Sequence, residues 1–169
     1  MLVWSLPRIS CTEKNVGIWV EVILFGNHAM SGSNNQTILL VEDYTDSREM
    51  LRLLLQDFNY RILEAQNGKE ALDLAVKEKP DLVLTDFNLP DIDGTALIRR
   101  LRKLSERMRR IPMIMLTAHD RHPLYELAMA AGCTAFLTKP VNFSVLQKTI
   151  QTLLEESRER SGPVNDICR

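Results

Sequence analysis

Residues 82–94 read Leu-Val-Leu-Thr-Asp-Phe-Asn-Leu-Pro-Asp-Ile-Asp-Gly, a short apolar run that ends at an acidic residue and leads into a helix start. Residues 82–85 show no apolar–polar alternation, which is typical of a strand covered on both faces in a parallel sheet. Asp86 follows this run directly, and Asp93 is a residue type that caps helices. A buried strand, a polar loop and a capped helix together predict one βα unit.

The same alternation of strand and helix continues along the chain from residue 37. Four further apolar runs have the length of strands, at residues 37–41, 60–65, 111–116 and 135–137. Between the runs, apolar residues recur at helical spacing, as at Leu51, Leu54, Leu55 and Phe58. Further helices are predicted around residues 69–79, 97–104, 124–131 and 146–154. Five strands and five helices in strict alternation predict an α/β fold with a doubly wound, open parallel sheet.

Length and charge restrict the classes of function. The chain has 169 residues and a net charge of −1, enough for one domain with its own core and too neutral to indicate nucleic-acid binding. The basic run at residues 99–110 is more typical of a solvated helix face and loop. The three cysteines of the chain show no metal-ligand spacing, and their odd number and wide separation favour a reduced, cytoplasmic setting.

The two ends of the chain lack the regular alternation of predicted strands and helices. Residues 1–36 contain an apolar stretch at residues 16–25, which is too short for a membrane span and is broken by Glu21. Charged residues precede the apolar stretch in an order that does not favour a secretory signal, so we do not expect secretion. Residues 1–36 are therefore expected to be an N-terminal extension and linker, with two alternatives for their role. Either they are disordered or lie upstream of a true start at Met30, or residues 16–25 form a short strand or a tail that binds a partner. We expect one domain at residues 37–157 and a tail at residues 158–169.

Polar side chains follow four of the five predicted strands. They are Glu42 and Asp43 after the first, Asp86 after the third, Thr117 after the fourth and Lys139 after the fifth. Ligands bind at the carboxyl ends of strands in such sheets. Three converging carboxylates repel one another unless a hard divalent cation, Mg²⁺ or Mn²⁺, lies between them. With a lysine and a hydroxyl beside them, they predict phosphoryl transfer with Asp86 as nucleophile.

The ordered set Glu42-Asp43, Asp86, Thr117-Ala118 and Lys139-Pro140 resembles the receiver domain of two-component response regulators. The resemblance covers about residues 37–157 and implies a flavodoxin-like (βα)5 sheet with strand order 2-1-3-4-5. It also implies a phosphorylation-dependent regulatory switch and not an enzyme, since the domain catalyses only its own phosphorylation and dephosphorylation.

The resemblance assigns a role to each of these residues. Asp86 accepts a phosphoryl group from a phosphohistidine of a sensor histidine kinase or a histidine phosphotransfer protein. Mg²⁺ (or Mn²⁺) is held by the carboxylates of Asp43 and Asp86 and the backbone carbonyl of Asn88, with Glu42 acting mainly through water.

Phosphoryl oxygens are bound, in the same resemblance, by the Thr117 hydroxyl, the Ala118 N–H and the Lys139 ammonium. The bond between Lys139 and Pro140 is expected to be cis.

Signal output in this family implies that Thr117 moves toward the phosphoryl group while an aromatic side chain on the fifth strand turns inward. That aromatic is Phe136 here, where many members have tyrosine, so it lacks a hydroxyl that could report its position. The positions that tune dephosphorylation correspond to Asn88 and His119.

The resemblance implies a downstream protein partner at the surface of the fourth predicted helix, the fifth strand and the fifth predicted helix. A homodimer is an additional form that the chain could adopt. Neither membrane binding nor direct nucleic-acid binding is expected. No output domain is predicted, so the chain is expected to be a stand-alone receiver or a piece of a hybrid kinase.

Two alternatives belong to other functional classes. Residues 91–95, Asp-Ile-Asp-Gly-Thr, resemble the nucleophile motif of haloacid-dehalogenase-type phosphatases, but they fall in a loop after Pro90 instead of at a strand end. The other alternative is a binding module of the same fold that works without phosphorylation.

Overall fold

The five predicted strands form one parallel sheet in the computed structural model, which describes residues 36–118 and 122–161. The strands are β1 (Thr37–Val41), β2 (Arg61–Ala65), β3 (Leu82–Asp86), β4 (Met113–Thr117) and β5 (Ala135–Thr138). Their order is β2-β1-β3-β4-β5, with parallel pairing throughout, which confirms the predicted topology. The order reverses between β1 and β3, and the connections that leave these two strands diverge, opening a crevice at their carboxyl ends.

Six helices connect and flank the strands in the described part of the chain. They are α1 (Thr45–Asp57), α2 (Gly68–Glu78), α3 (Gly94–Leu104), α4 (Glu106–Arg110), α5 (His122–Ala131) and α6 (Phe143–Ser161). The helix α4 was not predicted as a separate helix, and α6 continues past residue 157, where the tail was expected to begin. Among the described residues, no helix combines the length and the apolar character needed to cross a bilayer.

Both faces of the sheet are buried, which explains why the strand sequences lack alternation. In β1, Ile38 and Leu40 face the layer formed by α1 and α6, whereas Leu39 and Val41 face the layer formed by α2, α3 and α5. All four side chains are fully buried. Cys133 is buried in the second layer, and burial raises the pKa of its thiol to about 11, so it is an inert core residue.

Capping residues fix where the helices around the β3–α3 loop begin. Asp93 accepts a hydrogen bond from the N–H of Ala96 (2.8 Å) at the start of α3, as predicted. Asp91 accepts from the N–H groups of Gly68 and Lys69 at the start of α2 (2.8 and 2.9 Å). Both carboxylates of the phosphatase-like segment therefore cap helices, which argues against that alternative.

Gly94 lets α3 begin directly against the end of β3. A Cβ at this position would lie 2.5 Å from the backbone oxygen of Asp86, so no other residue fits without moving the strand end. The N–H of Gly94 also donates to the carbonyl oxygen of Phe87 (2.7 Å). This close approach fixes the backbone around Asp86.

The arginines of α4 form ion pairs at the protein surface. Arg109 and Arg110 pair with Glu106 at 3.3 and 2.8 Å, and Arg107 pairs with Asp81 at 2.6 Å. These pairs fit the predicted solvated face for this part of the basic run.

Candidate functional site

Three carboxylates from two adjacent strands meet at the carboxyl edge of the sheet. Glu42 and Asp43 directly follow β1, and Asp86 is the last residue of β3. Because β1 and β3 pair in parallel, their ends lie side by side. Carboxylate oxygens of the three residues lie within 4.8 Å of one another. The structure therefore brings together the acidic residues that the strand-end pattern singled out.

The three acids differ in their exposure to solvent. Glu42 is 1% exposed and Asp86 is 7% exposed, whereas Asp43 is an exposed residue. The cluster thus extends from the solvent into the protein, and a ligand would reach Asp86 from the side of Asp43.

Lys139 is the cation of the cluster. Its ammonium donates to a carboxylate oxygen of Glu42 (2.7 Å) and to one of Asp86 (2.9 Å). Its backbone N–H donates to the carbonyl oxygen of Thr117 (2.7 Å), and the following bond to Pro140 is cis. The side chain therefore reaches from the end of β5 across β4 to the centre of the sheet.

Burial and hydrogen bonds within the cluster shift two pKa values. Burial raises the pKa of Glu42, and the hydrogen bond from Lys139 only partly offsets this effect. Burial also disfavours the charged form of Lys139, but its hydrogen bonds to Glu42 and Asp86 outweigh burial and raise its pKa. Lys139 therefore stays protonated and partly neutralises the acids.

The acidic cluster has the ligand chemistry of a site for a hard divalent cation. Oxygens bound to one Mg²⁺ lie at most about 4.2 Å apart, since each bond is about 2.1 Å long. The carboxylate oxygens of the cluster lie within 4.8 Å of one another, which is close to this limit. All the ligand atoms are oxygens, which suits Mg²⁺ or Mn²⁺ better than softer metals.

Three other predicted site residues lie at or just after the carboxyl ends of β3 and β4. Thr117, at the end of β4, is fully buried, and Ala118 beside it is exposed. Asn88 is exposed in the loop after β3. His119, the other residue predicted to tune dephosphorylation, lies outside the described residues.

Phe136 contacts an aromatic residue that the sequence analysis did not identify. Its ring is partly buried against the core layer of α2, α3 and α5, and it meets Tyr125 of α5 edge to face. The ring centroids are 5.8 Å apart, with an interplanar angle of 83°. Tyr125 is 49% exposed, so the pair connects the sheet to the surface of α5.

Arg48 is a second residue that the sequence analysis missed. It lies on the buried side of α1, and its guanidinium donates to the backbone oxygens of Glu42 (2.9 Å) and Asp43 (3.2 Å). The signal in the sequence is a charged residue in phase with Leu51 and Leu55 on the apolar stripe of the helix.

Comparisons with known proteins agree with this geometry. The model of the response regulator receiver domain family matches residues 38–151. A polar-differentiation response regulator, DivK, from Brucella anthropi is 32% identical over 122 residues, which are 72% of this chain and 98% of the relative.

Solved structures of similar fold include a receiver domain protein from Methanospirillum hungatei, with a TM-score of 0.70 and 30% identity, covering 76% of this chain and 99% of that chain. The receiver domain of a sensor histidine kinase from Pseudomonas aeruginosa has a TM-score of 0.66 and 32% identity, covering 72% and 98% of the two chains. That structure has a magnesium ion coordinated in its active-site cleft.

Proposed function

Because the chain belongs to the response regulator receiver domain family of two-component signalling, we propose that Asp86 accepts a phosphoryl group from a phosphohistidine in a Mg²⁺-dependent reaction. The donor is a sensor histidine kinase or a histidine phosphotransfer protein. The observation that carries the proposal is the position of Asp86, which ends the central strand β3 within the acidic cluster and bonds to Lys139.

In the proposed reaction, a carboxylate oxygen of Asp86 forms a bond to phosphorus as the N–P bond of the phosphohistidine breaks. The imidazole leaves and takes a proton from solvent, so the product is an aspartyl phosphate. One oxygen of Asp86 accepts from the N–H of Phe87 (2.6 Å) and the other from Lys139 (2.9 Å). These bonds hold the carboxylate in place for attack on the incoming phosphorus.

The cation ligands in this proposal are the carboxylates of Asp43 and Asp86 and the backbone carbonyl of Asn88, with Glu42 acting through water. A bound Mg²⁺ would neutralise the charge that gathers on the phosphoryl oxygens. The closeness of the three acids supports this assignment.

The remaining phosphoryl oxygens are assigned to Lys139, the Thr117 hydroxyl and the Ala118 N–H. Thr117 and Asp86 end neighbouring strands, which supports their cooperation. Movement of Thr117 toward the phosphoryl group, with inward rotation of Phe136, is the proposed switch.

The output surface in this proposal consists of α5, β5 and α6, which correspond to the fourth predicted helix, the fifth strand and the fifth predicted helix. Large apolar side chains exposed on these two helices support a protein partner, namely Tyr125, Leu127, Met129, Phe143 and Val145. The proposal places the phosphoryl transfer and the binding of the partner in the cytoplasm.

The test is the intact mass of the protein after incubation with acetyl phosphate and Mg²⁺, compared with Asp86→Asn. We expect a phosphoryl adduct, labile to hydroxylamine, in the wild type and its loss in Asp86→Asn or when EDTA is present. Asp73→Asn is the matched control, because Asp73 is an exposed aspartate on α2. An adduct retained in a folded Asp86→Asn variant contradicts the assignment of the nucleophile. No adduct in the wild type, with acetyl phosphate or a phosphorylated kinase, favours the phosphorylation-independent module.

A further inference from the structure

Arg48 is a charged residue on the buried face of α1. It is 8% exposed and lies among the buried residues of this helix, with Leu51 and Leu55. Burial of a guanidinium is unfavourable unless its N–H groups find acceptors. The contacts of Arg48 therefore indicate why an arginine occupies a position that apolar packing would otherwise fill.

Those contacts converge on the backbone that carries two of the acids. One terminal nitrogen donates to the carbonyl oxygens of both Glu42 and Asp43, at 2.9 and 3.2 Å. The Nε atom lies 3.5 Å from the carboxylate of Glu64 on the neighbouring strand β2. The backbone N–H of Arg48 donates to the carbonyl oxygen of Tyr44 (3.0 Å), so α1 and the acidic pair form one bonded unit.

We propose that Arg48 is a positioning residue for the divalent-cation site. It holds the backbone of Glu42 and Asp43 from behind, so that both carboxylates face Asp86 across the crevice. This inference rests on the proposed function for the identity of the cation. Partners of metal ligands in other proteins act in this way, by fixing the ligand before the metal arrives.

The role as a positioning residue and the role as a nearby charge predict opposite effects on metal affinity. A guanidinium close to the site repels a divalent cation, so its removal should tighten Mg²⁺ binding if charge alone mattered. If Arg48 positions the ligands, its removal should weaken Mg²⁺ binding. The sign of the change therefore distinguishes the two roles.

Arg52 provides a matched control on the same helix. It also pairs with Glu64 (3.6 Å), and it pairs with Glu49 (3.6 Å) and bonds to Gln56 (2.9 Å). These contacts do not include the carbonyl oxygens of the acidic pair. Arg52→Met thus removes the same charge from the same helix without touching the proposed support.

The experiment is calorimetric titration of Mg²⁺ into the wild type, Arg48→Met and Arg52→Met, with thermal unfolding of each metal-free protein. We expect the Kd for Mg²⁺ to rise about tenfold in Arg48→Met, as for other residues that support metal ligands. The Kd of Arg52→Met should equal that of the wild type or fall. An unchanged or lower Kd in Arg48→Met overturns the proposal, as does an equal rise in both variants.

Arg48→Lys keeps the proposal testable if Arg48→Met does not fold. Lysine retains the charge but lacks the planar fork that reaches both the acidic pair and Glu64. A higher Kd for Mg²⁺ in this variant supports positioning, because charge is conserved, and an unchanged Kd overturns it. Failure of the wild type itself to bind Mg²⁺ would refute the metal site and the proposed function. Normal binding by the wild type and by the Arg48 variants would refute only the role of Arg48.

Discussion

Lys139 is the residue that links the chemistry of the site to the rest of the sheet. Its ammonium binds Glu42 and Asp86, while its backbone N–H binds Thr117 on the neighbouring strand. When a phosphoryl group forms on Asp86, its oxygens should compete with Glu42 for the ammonium. We therefore expect Lys139 to sense phosphorylation through its ammonium and to transmit it to β4 and β5 through its backbone.

We predict that Lys139→Ala still accepts a phosphoryl group, in lower yield, but no longer transmits the change. The measurement is intact mass after acetyl phosphate treatment, together with hydrogen–deuterium exchange of β5 and α5. Exchange in these segments should change on phosphorylation of the wild type and of the control Lys148→Ala, which alters an exposed lysine on α6. A wild-type exchange response in phosphorylated Lys139→Ala would contradict this role.

The end of the short helix α4 is hydrogen-bonded to an arginine of α3. Arg102 donates to the carbonyl oxygens of Met108 (2.9 Å) and Ile111 (2.6 Å), around the end of α4. It also donates twice to the carbonyl oxygen of Gly132, just after α5 (3.0 and 2.6 Å). The last carbonyl groups of a helix have no hydrogen-bond partner within the helix, and the guanidinium of Arg102 donates to several carbonyl groups near such ends.

We predict that Arg102→Met lowers the free energy of unfolding by about 3 kcal/mol, because several partly buried carbonyl groups lose a charged donor. Arg100→Met is the control, since Arg100 is exposed on the same helix, and its effect should stay within about 0.5 kcal/mol. Urea denaturation followed by circular dichroism measures both values. An equal decrease in the free energy of unfolding of the two variants would show that the hydrogen bonds of Arg102 make no specific contribution to stability.

The elements also show what the sequence could and could not predict. The strands were predictable because β1, β3 and β4 are buried on both faces, so their apolar runs have no polar interruption. The acidic cluster was predictable because parallel strands end at one edge. The helix α4 has too little periodicity to be recognised, since only Met108 of its residues is buried.

Contacts between elements explain what remained hidden in the candidate site. The hydrogen bonds of Arg48 depend on how α1 packs beside the ends of β1, and the contact of Tyr125 with Phe136 depends on how α5 lies on the sheet. Neither arrangement follows from the spacing of residues along the chain.

The sheet concentrates negative charge at one edge of the core. Glu42, Asp43 and Asp86 carry three negative charges when ionised, and Lys139 returns one positive charge, which leaves a net charge of −2 in the cluster. A divalent cation matches this remainder. The cluster terminates β1 and β3, which are buried along their whole length, so stabilisation of the cluster should stabilise the whole fold.

We therefore predict that Mg²⁺ raises the free energy of unfolding by an amount that follows its occupancy, about 2.7 kcal/mol at a concentration of 100 times Kd. Urea denaturation with and without MgCl₂ measures the gain, and KCl at equal ionic strength controls for screening. In Asp86→Asn the gain should be much smaller, because one ligand and one charge are lost. In the metal-free variant the amide relieves repulsion by two neighbouring carboxylates, but its single oxygen can accept only one of the two hydrogen bonds that Asp86 accepts, from Lys139 and from the N–H of Phe87. Equal stabilisation of both proteins by Mg²⁺ would place the ion elsewhere on the molecule and remove the acidic cluster as its site.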